Sequence, residues 1–90
     1  MTDYEVEIKK EFDTLLKGGK TAVWGFIEEL EGYLKEEKNP NLIEQKLIGM
    51  VKVVRAEKKF QFNQFKELYP YILSERKNKK EEEDDFILLD

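Results

Sequence analysis

The chain has 90 residues and a mass of 10.8 kDa, enough for one domain, with 16 Lys and Arg against 20 Asp and Glu for a formal charge of −4. It contains no Cys and no His, which excludes disulfides, thiolate zinc sites and cysteine nucleophiles and removes the commonest general base and transition-metal ligand. An apolar share of 40% is too high for a fully disordered chain, while the longest uncharged apolar stretch, Thr21 to Ile27, is far short of the roughly 20 residues that span a bilayer.

The start, Met1-Thr2-Asp3-Tyr4-Glu5, is acidic and lacks the apolar run of a signal peptide, so the expectation is a soluble, cytoplasmic protein without a membrane partner. Charge is segregated along the chain. Residues 1–45 carry 6 basic and 11 acidic side chains, residues 46–80 carry 10 and 3, and residues 81–90 carry none and 6. Such blocks point to partners, not to fold.

The first helix is predicted over residues 3–17. Thr2 and Glu5 have capping-box spacing, and Tyr4, Ile8, Phe12, Leu15 and Leu16 recur at helical steps. Gly18-Gly19 stops it, since glycine takes the left-handed cap conformation without a Cβ clash. The second helix is predicted over 22–38 with Thr21 as N-cap and Val23, Phe26, Ile27, Leu30, Tyr33 and Leu34 as its inner stripe. Gly25 and Gly32 share a face, where they either admit a neighbouring backbone or are simply tolerated. Asn39-Pro40 ends this helix, because a residue before proline is pushed out of the helical region.

The third helix is predicted over 42–57, opening from Asn39 or Asn41, with Ile43, Leu47, Met50, Val51 and Val54 as its core arc. Leu42, Ile48 and Val53 widen the apolar surface, so this helix is expected to be central, with those three covered by a fourth helix or by a second copy. Gln45, Lys52, Arg55 and Lys59 fall roughly opposite the core arc. Phe60 to Phe62 reads as a short extended piece, and Asn63 as the cap of a helix from Gln64 to Tyr69 that Pro70 interrupts or restarts. The predicted fold is all-α, a three- to four-helix bundle over residues 1–77, with residues 78–90 as a mobile acidic C-terminal tail.

Few residues suit catalysis. Gly19-Lys20-Thr21 is similar to the end of a phosphate-binding loop, but Thr14 stands where that motif needs glycine, and a helix precedes it instead of a strand. The acidic clusters lie on helix faces or in the tail and lack the cleft that a hydrolytic carboxylate pair requires. No cofactor motif or metal site is found, and the expectation is a binding protein, not an enzyme.

Two surfaces are candidates for binding. Lys52, Arg55, Lys58, Lys59 and Lys66 are interleaved with Phe60, Phe62, Phe65, Tyr69 and Tyr71, a pattern suited to single-stranded nucleic acid if the rings are exposed. If those rings fill the core, the same cations are a solvated helix face. The tail places Glu81, Glu82, Glu83, Asp84 and Asp85 before Phe86, Ile87, Leu88 and Leu89: steering charge followed by apolar anchors. It folds back on the bundle, inserts into a partner's pocket, or competes with an anionic ligand for the basic half. In outline it resembles the acidic, apolar-tipped C-terminus of bacterial single-stranded-DNA-binding proteins, which recruits partners, although the Pro-Phe ending of that family is missing. An acidic run before an aromatic-x-x-aliphatic quartet also resembles eukaryotic motifs bound by ubiquitin-like proteins.

The leading expectation is a small adaptor, inhibitor or regulatory protein that contacts a protein partner through this tail; such a composition would fit a phage or mobile-element product. The alternative is a nucleic-acid-binding accessory protein that uses the basic half with the tail as internal competitor. A homodimer is a third possibility.

Overall fold

The computed structural model describes the backbone of residues 2–89 and the side chains of residues 2–79. Over that range the chain is four helices, α1 (Asp3–Lys17), α2 (Gly19–Glu36), α3 (Leu42–Glu57) and α4 (Phe62–Leu89), and no strand. The expected all-α bundle is what forms. The side chains of residues 81–90 lie outside the described residues, and so do the expectations that rest on them.

Helix α2 packs against each of the other three, and α4 does the same, whereas α1 and α3 do not touch. The arrangement is therefore a central α2–α4 pair with α1 and α3 on opposite flanks. This corrects the expectation that α3 is central. Its buried residues are Glu44, Leu47, Val51 and Val54, a single narrow stripe. Leu42 is 83% exposed, Ile43 69% and Val53 46%, so Ile43 is not a core residue and α4 does not cover Leu42 or Val53. Apolar circumference alone misleads here because Leu42, Ile43 and Val53 are left exposed.

The core is built from Ile8 and Phe12 of α1, four residues of α2, three apolar residues of α3, and Phe65, Leu68 and Ile72 of α4. Tyr4 and Leu16, expected on the inner stripe of α1, are exposed instead. Phe60 and Phe62 pack on the core from the α3–α4 turn. The Phe12 ring lies 5.8, 5.6 and 5.2 Å from those of Phe60, Phe62 and Phe65, and the Phe65 and Tyr69 rings stack at 4.7 Å. One aromatic cluster thus joins α1, α2 and α4, because these rings supply large apolar area in a chain with few other core residues.

Local signals set most boundaries. Asn41 and Glu44 form a full capping box, each side chain accepting from the other's backbone N–H at 2.8 and 2.9 Å. At Thr2 only half of that motif forms. The Glu5 N–H donates to Thr2 Oγ1, while the Glu5 carboxylate lies 3.6 Å from Lys66 of α4. Helix α2 begins at Gly19, not after a Thr21 cap, because the turn from α1 is a single residue, Gly18. The left-handed residue is Gly19, at φ 79°. Gly18 is right-handed, but a Cβ there would sit 2.5 Å from that of Ala22. Gly25 and Gly32 admit no neighbour; a Cβ on either meets nothing within 4 Å.

Helix α4 starts at Phe62, one residue before the expected Asn63 cap, with the Gln61 carbonyl accepting from Gln64 and Phe65. Pro70 lies inside it without interrupting it. Pro70 is exposed, and its ring removes the N–H that would bond the carbonyl four residues back.

Candidate binding surfaces

The basic block of residues 46–80 folds back on the acidic first half. Arg76 reaches Glu29 of α2 with Nε and Nη2 at 2.6 and 2.7 Å, and the Tyr33 hydroxyl donates to the same carboxylate at 2.8 Å. The guanidinium holds the Glu29 carboxyl below its ordinary pKa of 4.5, against the opposing effect of burial. Lys79 lies 3.2 Å from Glu36 and 5.7 Å above the Tyr33 ring. Lys46 meets Glu67 at 2.8 Å, tying α3 to α4. Along α4 the inward positions change from Phe65, Leu68 and Ile72 to Arg76 and Lys79, so apolar packing gives way to ion pairs toward the end of α2.

Of the five cations proposed from sequence for nucleic acid, two are engaged. Arg55 does not stand opposite the core. It turns onto α2, where Nε donates to Glu31 at 2.7 Å and the guanidinium sits 5.5 Å from the Trp24 ring centre. The Glu31 carboxyl is held below its ordinary value by that pair. Lys66 faces Glu5. Lys52, Lys58 and Lys59 make no ion pair among the described residues. The rings proposed for stacking are packed on one another: Phe65 is buried, and Phe60, Phe62, Tyr69 and Tyr71 are half-buried against the core. Burial pushes the Tyr71 hydroxyl well above its ordinary value, and it donates to Glu44.

Two features that periodicity did not bring together are adjacent in space. Lys58 and Lys59, at the α3–α4 turn, meet Lys20 at the start of α2 around an open cleft of about 440 Å³ whose apolar floor includes Val23, Trp24 and Phe60. No acidic side chain lines it. Lys58 takes the left-handed conformation, φ 56°, to cap α3 and turn the chain there. A Lys-Lys pair after an apolar helix was visible in the sequence, but its convergence with Lys20 depends on α2 and α3 being antiparallel. The second surface is the outward face of α3, where Leu42, Ile43 and Val53 are exposed.

A smaller groove between α2 and α3, about 200 Å³, is floored by Leu34, Ile48 and Val51 and carries charges of both signs at its rim. No group of three or more Asp and Glu suited to a metal ion occurs among the described residues, and no helix there is long and apolar enough to cross a membrane. No protein-family model matches the chain, and no match was found among curated proteins or solved structures.

Proposed function

We propose that this chain is a small non-enzymatic binding protein, an adaptor, inhibitor or regulatory protein, that engages a protein partner through the outward face of α3 and the acidic, apolar-tipped residues 81–89. The observation that carries this reading is the exposure of Leu42 and Ile43, at 83% and 69%, on a helix whose inner face is already buried. Two adjacent large aliphatic side chains left in water are unfavourable unless something covers them, and amphipathic helices present such residues to a partner's groove. Position supports the tail's part. Helix α3 begins with Leu42 and Ile43 where Glu44 meets Tyr71 of α4, so α4 leaves the bundle past that same end. The nucleic-acid reading has less support, since its rings are packed in the core and Arg55 and Lys66 face carboxylates.

The test is site-specific photocrosslinking in the cell that produces the protein. A crosslinker at position 43 and another at position 86 should capture the same protein, while one at Lys10, on an exposed part of α1, captures none. Crosslinks from 43 and 86 to nucleic acid, or no specific product from either, would overturn the proposal.

A further inference from the structure

The cleft at the α1–α2 junction has the opposite chemistry to the C-terminus of the same chain. It offers three lysines, Lys20, Lys58 and Lys59, around an apolar floor, with no acid among its lining residues. Residues 81–90 offer five consecutive acids, then Phe86-Ile87-Leu88-Leu89, and no base. A cleft of about 440 Å³ is within the size range that takes a small ligand or one or two inserted side chains. Trp24 is fixed as part of that floor because Arg55, itself held by Glu31, covers its ring from the α3 side.

The two complementary features lie at opposite ends of the bundle. The cleft is built on the first residues of α2, whereas Lys79, the last described side chain before the acidic run, is bound to Glu36 in the last turn of α2. Eighteen helical residues separate those ends by about 27 Å at 1.5 Å each. The backbone of α4 continues helically through Leu89, away from the cleft, so a chain does not reach its own site.

We propose that the Lys20–Lys58–Lys59 cleft is a docking site for residues 81–89 of a second copy of this chain. The contact is head-to-tail: the basic, concave end of one molecule receives the acidic, apolar-tipped end of the next. Because the cleft and the tail lie at opposite ends of the molecule, one contact leaves a free tail on one copy and a free cleft on the other, and the assembly extends or forms a ring. The lysines steer the acidic run and set the salt dependence, while Phe86 or Leu89 against Trp24 and Phe60 provides the burial. An interface this small gives weak association, so it responds to local concentration. The inference takes from the proposed function only that the tail binds protein; it makes no use of the α3 face.

The test uses the full chain. Sedimentation at low ionic strength should show concentration-dependent association beyond a dimer that high salt reverses. Lys58→Glu with Lys59→Glu should weaken it by about tenfold or more, since like charges then face each other. Adding Glu81→Lys, Glu82→Lys, Glu83→Lys and Asp84→Lys to that variant, which makes residues 81–90 net positive against a net negative cleft, should restore it, which a simple folding defect would not allow. Leu42→Asp should leave it unchanged. Trp24 is the sole tryptophan, and residues 81–90 contain neither Trp nor Tyr. A synthetic peptide of residues 81–90 should therefore shift Trp24 emission in dilute full-length protein. Lys58→Gly should raise the thermal midpoint by relieving the left-handed lysine, yet weaken peptide binding. A strict monomer, loss of association with Leu42→Asp and not with the lysine variants, or a Trp24 response to single-stranded oligonucleotide but not to the peptide would each overturn the proposal.

Discussion

Glu29 is where most of the local electrostatics of the bundle meet. Its two oxygens accept from both ends of the Arg76 fork, and one also accepts from Tyr33. A planar guanidinium matches a carboxylate in this way and an ammonium does not. Glu29 and Arg76 remain 32% and 45% exposed, so solvent screening keeps the pair's worth within about 1 kcal/mol. The depressed carboxyl sets the sign of the pH dependence. The Glu29 contribution is fully present above its ordinary pKa of 4.5 and is lost as pH falls through the lower folded value. Comparing thermal midpoints of the native protein and Glu29→Gln from neutral to acid pH should therefore show an advantage that is constant near neutrality and shrinks below about pH 4.5. A gap that widens on acidification would mean that the ion pair does not depress Glu29. Residue-scale detail of this kind was only partly legible beforehand. Spacing pointed to a box at Thr2 and Glu5, of which half forms, and to Asn39 or Asn41 as the start of α3, but the full Asn41–Glu44 box emerged only in the structure. The Arg76–Glu29 pair joins residues 47 apart and needed the fold.

At the scale of elements, the helix starts and stops that rest on local chemistry were readable, and those that rest on packing were not. Helices α1 and α3 have the predicted bounds because Thr2, Asn41 and the glycine pair act on their own turns. Helix α2 starts earlier than expected because Gly18 is the single residue between α1 and α2, serving as C-cap of one and N-cap of the other. The burial of α3 was misjudged for a related reason: periodicity tells which residues share a face, not which face has a neighbour. The glycines separate these influences experimentally. Gly18→Ala should destabilise, because its Cβ would fall 2.5 Å from that of Ala22. Gly25→Ala, Gly32→Ala and Gly49→Ala meet open space, so each should raise stability by up to about 1 kcal/mol through helix propensity alone. Urea denaturation midpoints measure both. A loss of stability at Gly25 or Gly32 would show that their side of α2 is covered in solution, as in an assembly of copies.

For the whole molecule, the acidic and basic blocks have an internal use that composition does not disclose. Arg55–Glu31, Lys66–Glu5, Arg76–Glu29 and Lys79–Glu36 each join a base from residues 46–80 to an acid from residues 1–45. Segregated charge in the sequence therefore becomes attraction between the two halves of the bundle, and only the cations left over, chief among them Lys20, Lys58 and Lys59, are available to a ligand. The same accounting bears on the C-terminus. Among the described residues the last core side chain is Ile72, and the last link between helices is Lys79–Glu36. No buried side-chain nitrogen or oxygen among the described residues lacks a partner, so their polar groups need nothing from the side chains of residues 81–90. Truncation after Lys80 deletes six acids and no base, which takes the formal charge from −4 to +2. It should leave stability in dilute solution within about 0.5 kcal/mol of the native value, the range of changes away from packed features. Chemical denaturation measures this, with circular dichroism checking that the truncated chain stays helical. A loss of about 2 kcal/mol or more would place Phe86 to Leu89 on their own bundle as core residues. The proposed docking between copies would then need a tail released from its own chain, at that cost in free energy.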